Sequence, residues 1–284
     1  MNSKTLLSSL VLASGLVFTG GLLAQTPKVD FPAASPACTL KQHVGLTDIE
    51  IVYSRPGVKA RPIFGGLVPY GQVWRTGANA STKISFSTAV KLNGTEVPAG
   101  QYALYTIPGK KEWTVIIHKD TAASIFNYNP TNDLVRFKAT PVKLAKPVET
   151  FTIDINDLRD ESATLNLTWE KTRVPVKLEV ELVSKLVPQI EAVMAAPEGN
   201  KPYYQAALFY YDHGQDLQKA GKWIDAAIAE RETYYIVHLK AKILAKLGDK
   251  EGAIAAAKRS TELAIKAKDT GYVKLNEDLI SSLK

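Results

Sequence analysis

The sequence predicts a segregated α+β protein: an antiparallel β-sandwich or partly closed β-barrel followed by a domain of α-helical hairpins. Three observations carry this expectation. Between Cys38 and about Val183 apolar residues recur with a period of two, in runs rich in Thr, Val, Ile and aromatics. Asn93-Gly94 joins two short alternating runs and is the strongest hairpin signal in the chain. After Ser184 these runs give way to Ala-, Lys- and Leu-rich stretches of helical period.

The elements follow in order along the 284 residues. Lys4 supplies a positive start, residues 6–23 an apolar run, and Leu22-Leu23-Ala24 a small-residue site before Gln25. Residues 1–24 therefore read as a secretory signal peptide cleaved after Ala24. The other reading, a retained anchor, meets a run at the lower length limit for a span and interrupted by Ser14, Gly15, Thr19, Gly20 and Gly21. The protein is expected to be exported, periplasmic or secreted, with no transmembrane segment in the mature chain. Residues 25–37, with Pro27, Pro32 and Pro36, read as a flexible or extended leader.

Residues 38–183 form the expected β-domain. Alternation marks strands at 48–53, 82–87, 112–117, 149–155, 163–169 and 174–182, with 90–92, 95–97 and 101–107 around the hairpin and the turn at Pro98-Ala99-Gly100. About ten short strands separated by turn signals point to a sandwich or barrel. Residues 184–284 form the expected helical domain. A linking helix over 184–196 must begin near Pro188 or bend there. After a break at 197–202, helices are expected at 203–219 (ended by Gly221), 223–231, 234–247, 250–268 and 272–283. The turn from Gly248 to Ile254 resembles that inside a tetratricopeptide unit, and Ala220-Gly221-Lys222-Trp223 with Ala226 is a looser copy. The two glycines stand 27 residues apart, short of the usual period of about 34. Such hairpins bury little alone, so residues 203–284 are expected to serve a protein partner or self-association.

The formal charge of +7 is spread among acidic residues, without the basic cluster and stacking aromatics of a nucleic-acid binder. A single cysteine, Cys38, excludes an intrachain disulfide and reads as a buried or idle thiol. The serine-hydrolase elbow, the zinc-protease helix motif, the phosphate-binding loop and Cys-x-x-Cys are all missing from the sequence. Asp154-Ile155-Asn156-Asp157 begins like a calcium loop but lacks its Gly and terminal Glu, and reads as a polar turn. His43, His118, His213 and His238 are scattered, so neither a metal nor another cofactor is expected.

The richest segment is 53–79. Its glycines and prolines fix an irregular path, a structured loop of the kind that often carries function. Arg61-Pro62-Ile63-Phe64-Gly65, Leu67-Val68-Pro69-Tyr70-Gly71 and Val73-Trp74-Arg75-Thr76-Gly77-Ala78-Asn79 resemble the hallmark of the bacterial DUF2911 family, and Val97-Pro98-Ala99-Gly100-Gln101-Tyr102, Ile107-Pro108 and Trp113 its second signature. The C-terminal helices resemble the tail found on many members. The resemblance covers nearly the whole mature chain and implies an exported protein of unknown function. It also implies an acidic residue after Asn79, where this chain has Ala80.

Arginine forks suit carboxylates, phosphates and sulfates, and Trp or Tyr faces suit sugars. Arg55, Tyr70, Trp74, Arg75, Thr76, Asn79 and Tyr102 are therefore the candidate ligand-binding residues, with Tyr105 beside them. Arg61, flanked by Pro62 and Phe64, is read with Phe64 as a structural brace. The favoured expectation is a pocket for a glycan or anionic metabolite. An envelope hydrolase or isomerase with an Arg/Asn-lined pocket and a His or Tyr as acid–base group, and a purely structural envelope protein, are the alternatives.

Overall fold

A computed structural model describes residues 30–284. The expected signal peptide and most of the expected leader lie outside these residues. Among these described residues ten strands precede six α-helices: β1 (Ala37–Val44), β2 (Thr47–Ser54), β3 (Thr82–Phe86), β4 (Val90–Leu92), β5 (Thr95–Val97), β6 (Gly100–Ile107), β7 (Trp113–His118), β8 (Asp133–Ala139), β9 (Val142–Arg159) and β10 (Ser162–Val180), then α1 (Val183–Ala195), α2 (Tyr203–Asp212), α3 (Leu217–Glu230), α4 (Tyr234–Leu247), α5 (Lys250–Ala267) and α6 (Thr270–Leu283).

The strands form two open antiparallel sheets, one ordered β1-β2-β3-β6-β7-β8 and the other β5-β4-β10-β9. One continuous core joins them. Ile49, Ile51, Ile84, Leu104, Val115 and Ile117 of the larger sheet share it with Leu165, Leu167, Val176 and Leu178 of the smaller. The period-two pattern is the cause: β2 alternates buried and exposed residues along its length, so one face is apolar and the other polar. The Asn93-Gly94 hairpin forms as expected, with φ of 46° and 79° at its two central residues. Asn93 also receives a bond from the Lys177 amide and donates Nδ2 to Lys138 O, tying the turn to both sheets.

Two differences from the expected strands have physical reasons. The runs at 163–169 and 174–182 are parts of one 19-residue strand, β10, whose pairing with β9 shifts register three times. Pro175, which has no amide to give to a ladder, falls between the last pair with β9, at Arg173, and the first with β4, at Leu178. β8 was not marked by alternation, since only Phe137 and Ala139 on it are buried.

The free edge of β9 is closed from the other sheet. Beyond β2, the chain crosses over and pairs with it: Gly57 bridges Thr150, Phe151 N donates to Pro56 O at 2.9 Å, and Val58 N to Glu149 O at 2.8 Å. Tyr53 adds its hydroxyl, which bonds both Ile153 N (2.9 Å) and Ile153 O (3.2 Å). An edge covered this way offers no template for pairing with another chain.

In the helical part, α1 begins at Val183, before Pro188, and runs through it without ending. Glu161 Oε1 accepts from the Leu182 and Val183 amides at its start. The expected helix over 203–219 is instead broken at His213–Asp216. There Gly214 takes φ +63°, and Asp216 caps α3 by accepting from the Gln218 and Lys219 amides. Gly221 lies inside α3 and ends nothing. Ala220–Trp223 is therefore not an inter-helix turn. The glycine matching Gly248, which closes α4 at φ +85°, is Gly214, and these two are 34 residues apart. That is the usual tetratricopeptide spacing. Helices α2 and α3, and α4 and α5, form the two hairpins, with α6 packed on α5.

A polar chain crosses the second hairpin. Ser260 Oγ donates to Tyr234 O, Asn276 Nδ2 to Ser260 Oγ, and His238 Nδ1 meets Asn276 Oδ1 at 2.7 Å. Burial holds the His238 imidazole below the ordinary histidine range, against the opposing effect of Asn276. The unfolded chain therefore binds this proton more readily than the folded one. The contribution is fully present above about pH 6.5 and is lost as pH falls from there through the folded value. Thermal melts of the wild type and His238→Gln between pH 7.5 and 5 check this. The wild type should lose more stability on acidification; parallel curves would contradict it.

Candidate functional site

The 53–79 segment is held by backbone and ring contacts before it offers anything to a ligand. Trp74 forms a two-way bridge with Thr106 of β6, its amide donating at 2.7 Å and its carbonyl accepting at 2.9 Å. Its indole enters the core, where it stacks on Trp169 (5.8 Å, 16°) and meets Phe64, Trp113 and Phe151 edge-on. Indole Nε1 donates to Gly77 O at 3.0 Å, drawing the following turn over the ring.

That turn is tightly determined. Thr76 is fully buried at φ +54°, a costly conformation for a β-branched residue, and its hydroxyl sits 3.1 Å from that of Thr106. A Cβ at Gly77 would lie 3.0 Å from Ser54 O. Asn79, at φ +59°, spans from its amide nitrogen to Ser35 O and Ser54 Oγ, both at 3.3 Å.

Beside this turn lies a notch of about 400 Å³, lined by Arg61, Trp74, Arg75, Gly77, Asn79 and Trp169 among others. Arg75 bends back so that one terminal nitrogen donates to Asn79 O at 2.6 Å. Arg61 donates Nε to Val58 O (3.1 Å) and a terminal nitrogen to Gly57 O (2.7 Å). Each fork is oriented by carbonyls and keeps further N–H groups beyond those bonds. Among the described residues, no carboxylate lies within ion-pair distance of either.

The seven candidate ligand residues are not all brought together. Trp74, Arg75 and Asn79 line the notch. Thr76 is sealed behind it. Arg55 turns away, donating to Phe151 O (3.1 Å) and Thr152 Oγ1 (2.7 Å), and so clamps β9. Tyr70 lies outside, its ring against Gly65 with Lys110 Nζ 5.9 Å above it. Tyr102 belongs to the core and gives its hydroxyl to Pro98 O at 3.1 Å. Tyr105 faces the opposite side of β6, against Ser81 and the 119–132 loop. Arg61 both braces and lines the notch, while Phe64 sits among the tryptophans.

Sequence reasoning missed Trp169. It reaches the notch from β10, about ninety residues away, and no local signal distinguishes it from other core residues. His43 and His118 do not meet: His43 pairs with Asp48 and His118 with Asp133. Among the described residues, no group of three His, Cys, Asp or Glu side chains is placed to hold a metal ion. No described helix is long and apolar enough to cross a membrane.

The family model described as a protein of unknown function, DUF2911, matches residues 35–178, which include all of the notch-lining residues. No curated protein and no solved structure matches the chain.

Proposed function

The chain belongs to the DUF2911 family, whose function is unknown, and from that premise we propose that the notch binds a small anionic ligand, a charged glycan or anionic metabolite. One observation carries this reading: two oriented guanidinium groups, Arg61 and Arg75, border a single recess whose wall is the stacked Trp74–Trp169 pair. Charge-assisted bonds from such forks favour carboxylate, phosphate or sulfate, and the small exposed part of Trp74 gives the recess an apolar floor. Among the described residues no His, Cys, Asp or Glu lines the recess, and the groups that do line it favour binding over proton transfer. We further place the protein outside the cytoplasm, on the strength of the apolar run at 6–23. The helical hairpins are assigned a partner-binding or self-association role.

Arg75→Ala tests the central part. Isothermal titration with hexuronates and sugar phosphates should show a ligand bound by the wild type and bound at least about tenfold more weakly by the variant, as loss of a charged hydrogen bond implies. Equal affinity in a folded variant would refute it.

A further inference from the structure

A second cluster lies on the outer face of the larger sheet, away from the shared core. Its centre is His118, the last residue of β7, with a side chain wholly shielded from solvent. His118 faces Asp133 across the β7–β8 ladder, at a register shift, and Nδ1 stands 2.8 Å from Asp133 Oδ1. Asp133 is an acceptor for all its partners: the Tyr128 hydroxyl reaches both oxygens at 2.9 and 2.8 Å, and Arg136 Nε reaches Oδ2 at 2.5 Å. Burial, then Asp133, pushes the Tyr128 hydroxyl up to about 12, so it remains a donor. His118 Nδ1 is therefore the donating nitrogen, and Nε2 is the one turned away from the carboxylate. That nitrogen is buried and has no hydrogen-bond partner. A buried polar atom without a partner is uncommon in a folded protein and calls for an explanation.

What lies beside the imidazole is also specific. The Tyr105 ring meets it edge-on at 5.3 Å. The Tyr105 hydroxyl and Ser81 Oγ are 2.8 Å apart, and both converge on one carbonyl oxygen, that of Ala123, at 2.7 and 2.8 Å. Two hydroxyl donors aimed at one carbonyl oxygen are the arrangement that holds the oxygen of an acyl substrate. Here the oxygen belongs to the covering segment 119–132. That segment is an Ω-type loop: Lys119 N closes on Asn132 O at 2.9 Å, and its Asp120, Ser124, Asn127 and Asn129 side chains bond within it. At its tip Phe126 is 92 % exposed.

We propose that this cluster is a latent ester-hydrolysing site, in which a substrate carbonyl takes the place of Ala123 O and His118 serves as base. It is independent of the anion notch. When the loop swings aside, the ester oxygen sits against Ser81 and Tyr105. A water molecule gives a proton to His118 Nε2 as its oxygen bonds to the acyl carbon. The adduct collapses by breaking the bond to the leaving oxygen, which recovers the proton from the imidazolium. Ester and water become acid and alcohol, with no other reactant. Asp133 is a positioning residue that fixes the tautomer. The walls that lie outside the covering segment, Tyr105, Ile107 and Val73, suit a small apolar acyl ester.

The test uses p-nitrophenyl acetate with the full mature chain. Wild type should release p-nitrophenol at least about tenfold faster than His118→Gln and than Tyr105→Phe, each confirmed folded by circular dichroism, in keeping with the general-base contribution of 10²–10⁴. Rates equal to those of the folded variants would overturn the proposal, since exposed histidines and lysines act alike in all three. A reading that needs no variant is the long-range proton–nitrogen spectrum of the wild-type histidines at neutral pH. One buried ring protonated on Nδ1 alone supports the assignment. A buried ring protonated on Nε2 overturns it.

Discussion

Trp74→Ala is expected to lower the stability of the β-domain by about 3–5 kcal/mol, the range for removing a buried tryptophan. The argument rests on how many groups this one ring serves. It is stacked on Trp169 and touches Phe64, Trp113 and Phe151, five aromatic rings forming the end of the core where the two sheets meet. Truncation removes the centre of that cluster and leaves a cavity that rigid neighbours cannot close. It also strands Gly77 O, which loses its indole donor. Urea unfolding of the variant should show the midpoint moved by that amount with an unchanged slope. A loss below about 1 kcal/mol would mean that the ring is peripheral to the core. The same change removes a wall of the notch, so ligand binding should fail even where the variant folds.

Asp133→Ala is the second large effect, on the order of 3 kcal/mol, because each buried donor left without an acceptor costs about 1–3 kcal/mol. His118 Nδ1, on a side chain with no exposure, is stranded, and the part-buried Tyr128 hydroxyl loses its acceptor as well. Arg136 adds little, since at 43 % exposure its guanidinium turns to water. Asp133→Asn, which keeps an acceptor oxygen, should lose less. Thermal denaturation of the pair orders them. An alanine variant as stable as the asparagine one would show that the carboxylate is not what satisfies His118.

The fold class was legible because its signals are local. Alternation in 48–53 and 82–87, the positive-φ pair Asn93-Gly94 and the closing Gly248 each act within a few residues. The break at Gly214 carries its own signals, the polar run from Asp212 to Asp216 with its capping aspartate, but Gly221 competes with them: it looks like a stop yet sits harmlessly inside α3. The site was half legible. Trp74, Arg75 and Asn79 lie close in sequence and converge through their own turn. Arg55 was misplaced by the same reasoning: its fork serves β9, about ninety-five residues on, and only the crossing of the chain between sheets brings them together. Trp169 and the His118–Asp133 pair depend on strand register, and register is a property of the assembled sheets.

The notch reading stands or falls most directly on a fluorescence titration of the mature protein. Glucuronate and glucose 6-phosphate are compared with uncharged glucose, following tryptophan emission in the wild type and in Arg75→Ala. The account predicts a saturable change with an anionic sugar, little with glucose, and loss of the response in the variant. An emission that is flat with every anion, or that responds equally to glucose, would contradict an anion-binding site at Arg61 and Arg75.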